Sequence, residues 1–176
     1  MSARARRPAD DEYAPFFAGY VGLVPETEVL PVLAAQAAEI RALAGSIPPD
    51  RERFRYAPGK WSIREMLGHI GDAERVFGYR AFCISRGEQA SLPGFDENDY
   101  VAEAAYDEHA VAQLAEDFAQ LRASNLAVLE RLAPERWSNV GVANGNRISL
   151  RALAYIMAGH VRHHLGVLKA RYAVTA

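Results

Sequence analysis

Residues 149–172 read SLRALAYIMAGHVRHHLGVLKARY, and this stretch decides the fold. Its apolar side chains recur every three or four residues, which is the spacing that places them on one face of an α-helix. Ser149 precedes the first of them and is a residue type that caps helix N-termini. The stretch therefore predicts an amphipathic helix that begins after Ser149 and ends near Tyr172. The stripe on its inward face consists of Leu150, Leu153, Met157, His160, His164 and Leu168.

Three further segments carry the same periodicity, and no segment shows the alternation of a convincing β-strand. They cover residues 26–43, 62–86 and 107–132. In the second segment, Ser62 and Glu65 form the pattern of a capping box, in which each side chain satisfies a free backbone N–H of the other. Pro31 shifts the expected start of the first segment toward residue 30, because proline is tolerated only in a first helical turn. Four such helices of about 18–25 residues predict an all-α fold, namely a four-helix bundle.

The length of 176 residues predicts one domain. We assign residues 25–173 to the bundle and residues 1–24 to an N-terminal segment that is partly disordered. The connection over residues 87–106 is long for a compact domain, and connections of this length are usually functional or mobile. We expect it to cover the end of the bundle, to act as a substrate lid, or to pack on a second subunit.

Composition excludes several classes of function. Twenty Lys and Arg against 22 Asp and Glu give a net charge of -2, so the chain lacks the positive charge that nonspecific nucleic-acid binding requires. No apolar stretch approaches the length of a membrane span. The single cysteine, Cys83, cannot form an internal disulfide, and the N-terminus lacks the apolar part of a signal peptide. We therefore expect a cytoplasmic protein with neither nucleic-acid nor membrane partners.

The histidines carry the chemistry. His160 and His164 are four residues apart, so they project from one helix face and both imidazoles can reach one metal ion. Both lie on the apolar stripe, where an unpaired imidazole is unfavourable and a metal would satisfy its ring nitrogen. His69, near the inward face of the second helix, is the candidate third ligand. The alternative is that these are core histidines whose ring nitrogens are satisfied by ordinary hydrogen bonds.

Four other polar residues accompany this set. His163 is assigned to the second shell or the rim of the site. Asp72 and Glu74 flank His69 and could orient it. Arg80 follows His69 by eleven residues, which brings it back to the same helix face, within about 20°. Arg80 is therefore either a clamp for an anionic substrate or one half of a buried ion pair, for example with Glu74.

The metal is a divalent ion. Three neutral histidines with an open coordination position suit zinc or nickel best, and iron, cobalt, copper or manganese as alternatives. A metalloprotease of the HExxH class is excluded, because that motif needs a glutamate directly after the first histidine and this chain has Val161.

Two motifs resemble those of the DinB-like (DinB/YfiT) family. Residues 58–75, PGKWSIREMLGHIGDAER, are similar to the second-helix motif of that family, and residues 159–168, GHVRHHLGVL, are similar to its fourth-helix motif. The resemblance extends over residues 26–172. It implies a four-helix bundle that holds a divalent metal through His69, His160 and His164, and it also implies a homodimer.

The resemblance also implies a class of reaction. Known activities in the family include metal-dependent transfer of low-molecular-weight thiols, such as bacillithiol or mycothiol. The leading expectation is therefore a thiol-dependent S-transferase that acts on small electrophiles. The alternatives are a metal-dependent hydrolase of small esters or amides, and a noncatalytic, stress-related protein that binds a metal or a ligand.

Overall fold

The computed structural model describes residues 6–174 and confirms the predicted four-helix bundle. Four long helices form the bundle, and two short helices lie outside it. In chain order the helices are α1 (Ala18–Gly22), α2 (Val29–Ser46), α3 (Ile63–Ser85), α4 (Glu97–Glu103), α5 (Val111–Leu129) and α6 (Leu150–Tyr172). No helix among residues 6–174 combines the length and the apolar character that crossing a bilayer demands.

The capping box at the start of α3 is confirmed. Ser62 Oγ accepts a hydrogen bond from the Glu65 backbone N–H at 3.0 Å, and Glu65 Oε2 accepts one from the Ser62 backbone N–H at 2.6 Å. Ser62 Oγ also donates to Asp107 Oδ1 at 2.6 Å, which ties the start of α3 to the segment before α5. Ser149 caps α6 as predicted, since its Oγ accepts from the Ala152 N–H at 3.0 Å.

Helix α2 begins at Val29, close to the start near residue 30 that Pro31 indicated, and Pro31 lies in the first turn, where proline is tolerated. The start of α5 differs from its predicted position. Helix α5 begins at Val111 rather than at residue 107. The carbonyl oxygen of Asp107 accepts hydrogen bonds from Arg53 and Arg64, so side chains occupy the acceptor that a helix starting there would use.

The order in which the four helices pack around the bundle is uncommon. Helix α2 packs on α5 and α6, and α3 packs on the same two helices. The diagonally opposite pairs are therefore α2 with α3 and α5 with α6, so two of the three pairs of bundle helices that follow one another along the chain lie across the bundle rather than side by side. This arrangement brings α3 against α6, and it is between these two helices that the predicted histidines meet.

The expectation that the chain has no strand is wrong. A three-stranded sheet lies at one end of the bundle and consists of β1 (Ser91–Leu92), β2 (Val140–Ala143) and β3 (Asn146–Ser149). Strand β1 pairs parallel with β2, and β2 pairs antiparallel with β3. Asn144 and Gly145 join β2 to β3 with φ angles of 49° and 72°, the conformation that Asn-Gly favours in a two-residue hairpin. Strands of two to four residues are too short to show alternation.

The long connection after α3 is structured. It contains β1 and then α4, whose N-terminus is capped by Asp96 Oδ1, an acceptor for the Asn98 and Asp99 N–H groups at 2.8 Å and 3.1 Å. Between these two elements, Phe95 turns toward the cavity described below. The connection therefore covers one end of the bundle, which is one of the three roles expected for it.

Residues 10–22, which we assigned to a separate N-terminal segment, pack on the bundle. Helix α1 lies against α6. Glu12 accepts hydrogen bonds from Ser149 Oγ at 2.6 Å and from Arg151 Nη2 at 2.6 Å. Arg7 donates to the carbonyl oxygen of Val21 at 3.0 Å. These contacts fasten the segment to the first turn of α6.

A buried polar network, centred on Arg122, joins all four bundle helices. Arg122 on α5 donates to both carboxylate oxygens of Glu74 on α3, at 2.9 Å and 2.8 Å. It also donates to Gln36 Oε1 on α2 at 2.6 Å, and Gln36 Nε2 in turn donates to the Ala158 carbonyl on α6 at 2.7 Å. The Arg122 side chain is fully buried and that of Glu74 is 2% exposed. The network separates the two apolar halves of the core.

Removing one half of the buried pair should be costly. The substitution Arg122→Met leaves the Glu74 carboxylate buried and uncompensated, so we expect it to lower the free energy of unfolding by about 3–5 kcal/mol. The matched control is Arg41→Met, because Arg41 on α2 bonds Glu116 on α5 in an exposed ion pair that also joins two bundle helices. That change should cost about 1 kcal/mol or less. Urea unfolding measures both, and equal losses would contradict the prediction.

Candidate metal centre

Three histidine side chains meet between α3 and α6. The Nε2 atom of His160 lies 3.1 Å from Nε2 of His69 and 3.0 Å from Nε2 of His164. One nitrogen from each ring falls within 4.8 Å of the other two. All three residues are buried, between 5% and 8% exposed. The structure thus brings together the three histidines that the sequence analysis selected.

Local sequence explains why these rings point inward. His160 and His164 are one turn apart on the buried face of α6, and Val161 and Leu168 of the same helix lie in the apolar core. His69 lies in the second turn of α3, where the capping box fixes the start of the helix and therefore the direction of each following side chain. The site combines one pair that is local in sequence with one ligand that only the packing of α3 on α6 supplies.

Burial keeps the three imidazoles neutral. Desolvation, aided by the nearby His163, lowers the pKa of His69 to about 4. Desolvation also lowers the pKa of His164 to about 2, with His69 and His163 as further causes. The pKa of His160 falls well below its ordinary value for the same first reason, and the neighbouring histidines add to it. At neutral pH each ring therefore carries a lone pair on one nitrogen, the form in which histidine binds a metal.

The converging nitrogens fit a divalent metal ion. Three neutral rings offer three ring N–H groups in total, and two Nε2 atoms that lie 3.0–3.1 Å from a third suit a shared cation better than mutual hydrogen bonding. Zinc–histidine bonds of about 2.0–2.1 Å in a tetrahedral arrangement separate the nitrogens by about 3.3 Å, close to these distances. His69, His160 and His164 would hold the ion. The three histidine ligands alone do not distinguish zinc from nickel.

Packing rather than hydrogen bonding orients the rings. Metal-binding histidines usually donate their second ring N–H to a carboxylate or a carbonyl. Here Nδ1 of His69 and Nδ1 of His164 are buried, and no residue in the described part of the chain is a hydrogen-bond partner for either atom. Aromatic rings surround the cluster instead: Trp61 lies 4.7 Å from the His69 ring, and Tyr20 and Phe77 lie 5.5 Å and 5.6 Å from the His160 ring.

The other predicted site residues separate into two groups. His163 is exposed at the rim of the cavity, with its ring 4.9 Å from that of His164. Glu74 is not beside the histidine rings as a hydrogen-bond acceptor, because Arg122 and Asn125 occupy its carboxylate. Asp72 faces away as well: its carboxylate lies 3.9 Å from Arg75 on the same helix and accepts a hydrogen bond from Tyr106, which helps to raise the pKa of that phenol.

Arg80 is not paired with Glu74, as one of the two expectations had it. Its Nη2 atom donates to the carbonyl oxygen of Pro93 at 2.7 Å. The side chain lines the same cavity as the three histidines. Arg80 therefore stays available for the other role, contact with a bound molecule.

A cavity of about 480 Å³ opens over the histidines. This volume lies within the range of small-molecule sites. Six aromatic side chains line the cavity, and the sequence analysis did not select them for the site. They are Phe16, Phe17, Tyr20, Trp61, Phe77 and Phe95. Three of them come from the N-terminal segment, whose place on the bundle no local pattern indicates. Phe77 could have been found, since it lies two turns after His69 on the same helix stripe.

The fold and the site together define a class: helical-bundle proteins with a buried three-histidine centre between two helices. The family model described as the DinB superfamily matches residues 33–168, and the chain belongs to that family. None of the curated proteins matches the chain in sequence.

Solved structures share the fold. The chain is similar to YfiT from Bacillus subtilis, described as a probable metal-dependent hydrolase with an unusual four-helix bundle topology. The TM-score is 0.75 at 16% identity, over 84% of this chain and 87% of that one. It is also similar to a DinB-like protein from Bacillus subtilis, with a TM-score of 0.58 at 20% identity, over 82% of this chain and 90% of the other.

The assignment of the metal ligands predicts that replacing one of them removes the metal and leaves the fold intact. The substitution His160→Ala should abolish binding of one divalent ion per chain, because His160 Nε2 is the atom that lies near both other ligands. His109→Ala is the matched control, since His109 is exposed and lies outside the cluster. Elemental analysis after zinc loading and dialysis measures the metal, and circular dichroism should show unchanged helix content. Stoichiometric metal in a variant with all three histidines replaced would refute the assignment.

The N-terminal wall of the cavity depends on a close backbone contact. A methyl group added at Gly159 would lie 2.0 Å from the carbonyl oxygen of Tyr20, so Gly159→Ala should push α1 away from α6. We expect faster chymotrypsin cleavage after Phe16, Phe17 and Tyr20, and a loss of about 1–3 kcal/mol in the free energy of unfolding. Gly166→Ala on the same helix is the control, because a methyl group there meets nothing within 4 Å. Cleavage at wild-type rates in the Gly159 variant would contradict the prediction.

Proposed function

We propose that this protein is a metal-dependent enzyme that transfers a low-molecular-weight thiol to a small electrophile. One observation carries the proposal: three neutral histidine nitrogens converge at the floor of a 480 Å³ cavity with aromatic walls. A divalent ion held there would act as a Lewis acid and lower the pKa of a thiol or a water molecule that binds beside it. The protein's own groups supply the remaining functions.

The aromatic walls would hold the electrophile and keep water out. Tyr20 and Phe77 pack against the His160 ring, so an apolar molecule in the cavity lies directly above the histidines. In the transfer, the thiol loses its proton, a sulfur–carbon bond forms and the leaving group departs with its electron pair. His163, exposed at the rim beside His164, is placed to take up the thiol proton and pass it to solvent.

The absence of a carboxylate from the histidine cluster supports thiol transfer. Hydrolysis by a histidine-bound metal usually relies on a nearby general base to take a proton from water. Among the described residues that line the cavity, Glu97 is the only carboxylate, and it is exposed. A thiol is more acidic than water and needs less help from a base. The lack of a fourth protein ligand in the described cluster also argues against a closed, noncatalytic metal site.

Hydrolysis of small esters or amides is the second candidate. It is favoured by the similarity to YfiT, which is described as a probable metal-dependent hydrolase. In that reaction His163 would accept the proton of the attacking water. The homodimer and the cytoplasmic location stay predictions, and light scattering at micromolar concentration would test the first.

The assay that separates the two candidates uses the zinc- and nickel-loaded protein. One arm supplies 1-chloro-2,4-dinitrobenzene with cysteine, glutathione, bacillithiol or mycothiol, and the other supplies p-nitrophenyl acetate without thiol. We expect turnover in the first arm with at least one thiol, a loss of at least a hundredfold in His160→Ala, and wild-type rates in His109→Ala. Ester hydrolysis that depends on His160, without any thiol turnover, would reverse the order of the two candidates.

A further inference from the structure

Arg80 is a buried cation to which residues 6–174 supply no counter-charge. The residue is only 5% exposed, yet the Nη2 bond to the Pro93 carbonyl is the one hydrogen bond that the described residues give it. No partner for its buried Nε atom lies within that part of the chain. The contrast with Arg122 is direct, since that buried guanidinium has a bidentate carboxylate and two further acceptors.

A buried guanidinium in this state is unfavourable by itself. Burial lowers the pKa of Arg80, with no acidic neighbour to oppose the effect. An arginine remains protonated under all ordinary conditions, so the structure retains the charge and leaves the Nε donor unsatisfied among the described residues. A planar guanidinium with free N–H groups is the geometry that recognises a carboxylate by two parallel hydrogen bonds.

The Arg80 side chain lies at the cavity already described. Arg80 lines this cavity together with the three histidines. Phe77 connects the two ends: its ring centroid is 5.9 Å from the Arg80 guanidinium carbon and 5.6 Å from the His160 ring. A molecule the size of one substituted aromatic ring can therefore lie over Phe77 with one end at Arg80 and the other at the histidines.

We propose that Arg80 binds the carboxylate of the substrate, so that the electrophile handled by this site is a small aromatic or other apolar organic acid. The aromatic walls bind the body of the molecule, Arg80 binds its anionic end, and the opposite end lies at the histidines. The orientation of the reacting molecule rests on the proposed function. The binding of the acid does not, because the guanidinium, the cavity and the aromatic walls belong to the chain itself.

A structural role is the competing explanation. Through Pro93, Arg80 fastens the connection between β1 and α4 to α3, and Phe95 of that connection lines the cavity. If this were its only role, replacing Arg80 would disturb the cavity for charged and neutral molecules alike. A carboxylate subsite would instead discriminate between two ligands that differ only in charge.

The test is a calorimetric titration with benzoate and with its neutral isostere benzamide at pH 8, where the buried histidines are neutral. The variants are Arg80→Gln, Arg80→Lys and, as the matched control, Arg75→Gln, since Arg75 lies on the same helix and is largely exposed. Each is titrated as zinc-loaded protein and again after chelation, with circular dichroism to verify folding and elemental analysis to verify metal content.

We expect the wild type to prefer benzoate and Arg80→Gln to bind it roughly tenfold to a hundredfold more weakly, the usual range for one charged hydrogen-bonding partner. Benzamide binding should stay unchanged. Arg80→Lys should restore part of the preference, and Arg75→Gln should match the wild type. The preference should persist after chelation, which separates this inference from the proposed function: a protein without thiol turnover can still show it.

Three outcomes would overturn the proposal. Equal weakening of benzoate and benzamide in Arg80→Gln would assign Arg80 a structural role only. If the preference for benzoate disappears on chelation and is unchanged in Arg80→Gln, the carboxylate binds the metal and not Arg80. If the folded wild type does not prefer benzoate, the inference that the substrate is a small organic acid is wrong. If Arg80→Gln does not fold, Arg80→Lys decides, because it keeps the charge and loses the planar fork.

Discussion

The buried hydrogen-bond network around Arg122 is the constraint on which the rest of the structure depends. Its bonds run from α5 to α3 through Glu74 and to α2 through Gln36, and Gln36 continues to the Ala158 carbonyl on α6. Apolar contacts do not specify which atoms must meet, whereas a buried charge cannot move away from its partners without a penalty of several kcal/mol. The network therefore fixes how far along its axis each helix sits relative to the other three.

The metal centre needs that fixed register. Its three nitrogens come from two helices and meet at 3.0–3.1 Å, while one turn of an α-helix is about 5.4 Å long. A slip of a single turn between α3 and α6 would carry His69 out of reach of the other two. Ala158 lies two residues before His160, so the network holds α6 close to the point where the ligands project. Residues that never touch the ion thus set the geometry of its ligands.

Local patterns in the sequence predicted local structure. Of the contacts between distant residues, the sequence indicated the meeting of His69 with His160 and His164, but neither the Arg122 network nor the aromatic wall. Helical periodicity, the Ser62–Glu65 capping box and the spacing of His160 and His164 are each written within one or two turns, and each is confirmed as geometry. The partner of Glu74 lies 48 residues away in the chain, and nothing in the α5 stripe marks Arg122 as buried. The aromatic wall supplied by residues 15–22 is equally invisible, because a short helix gains its place only from the surface that it covers.

The contact between Tyr20 and Gly159 bears on the order in which the molecule assembles. The two residues are separated by most of the described chain, and closing so large a loop is slow compared with helix formation or the pairing of neighbouring helices. The N-terminal segment also needs the finished surface of α6 before it can dock. We expect the bundle to collapse first and the cavity wall to close last. During synthesis, residues 16–20 emerge before α6. Until α6 emerges, their aromatic side chains remain exposed to chaperones and to other chains.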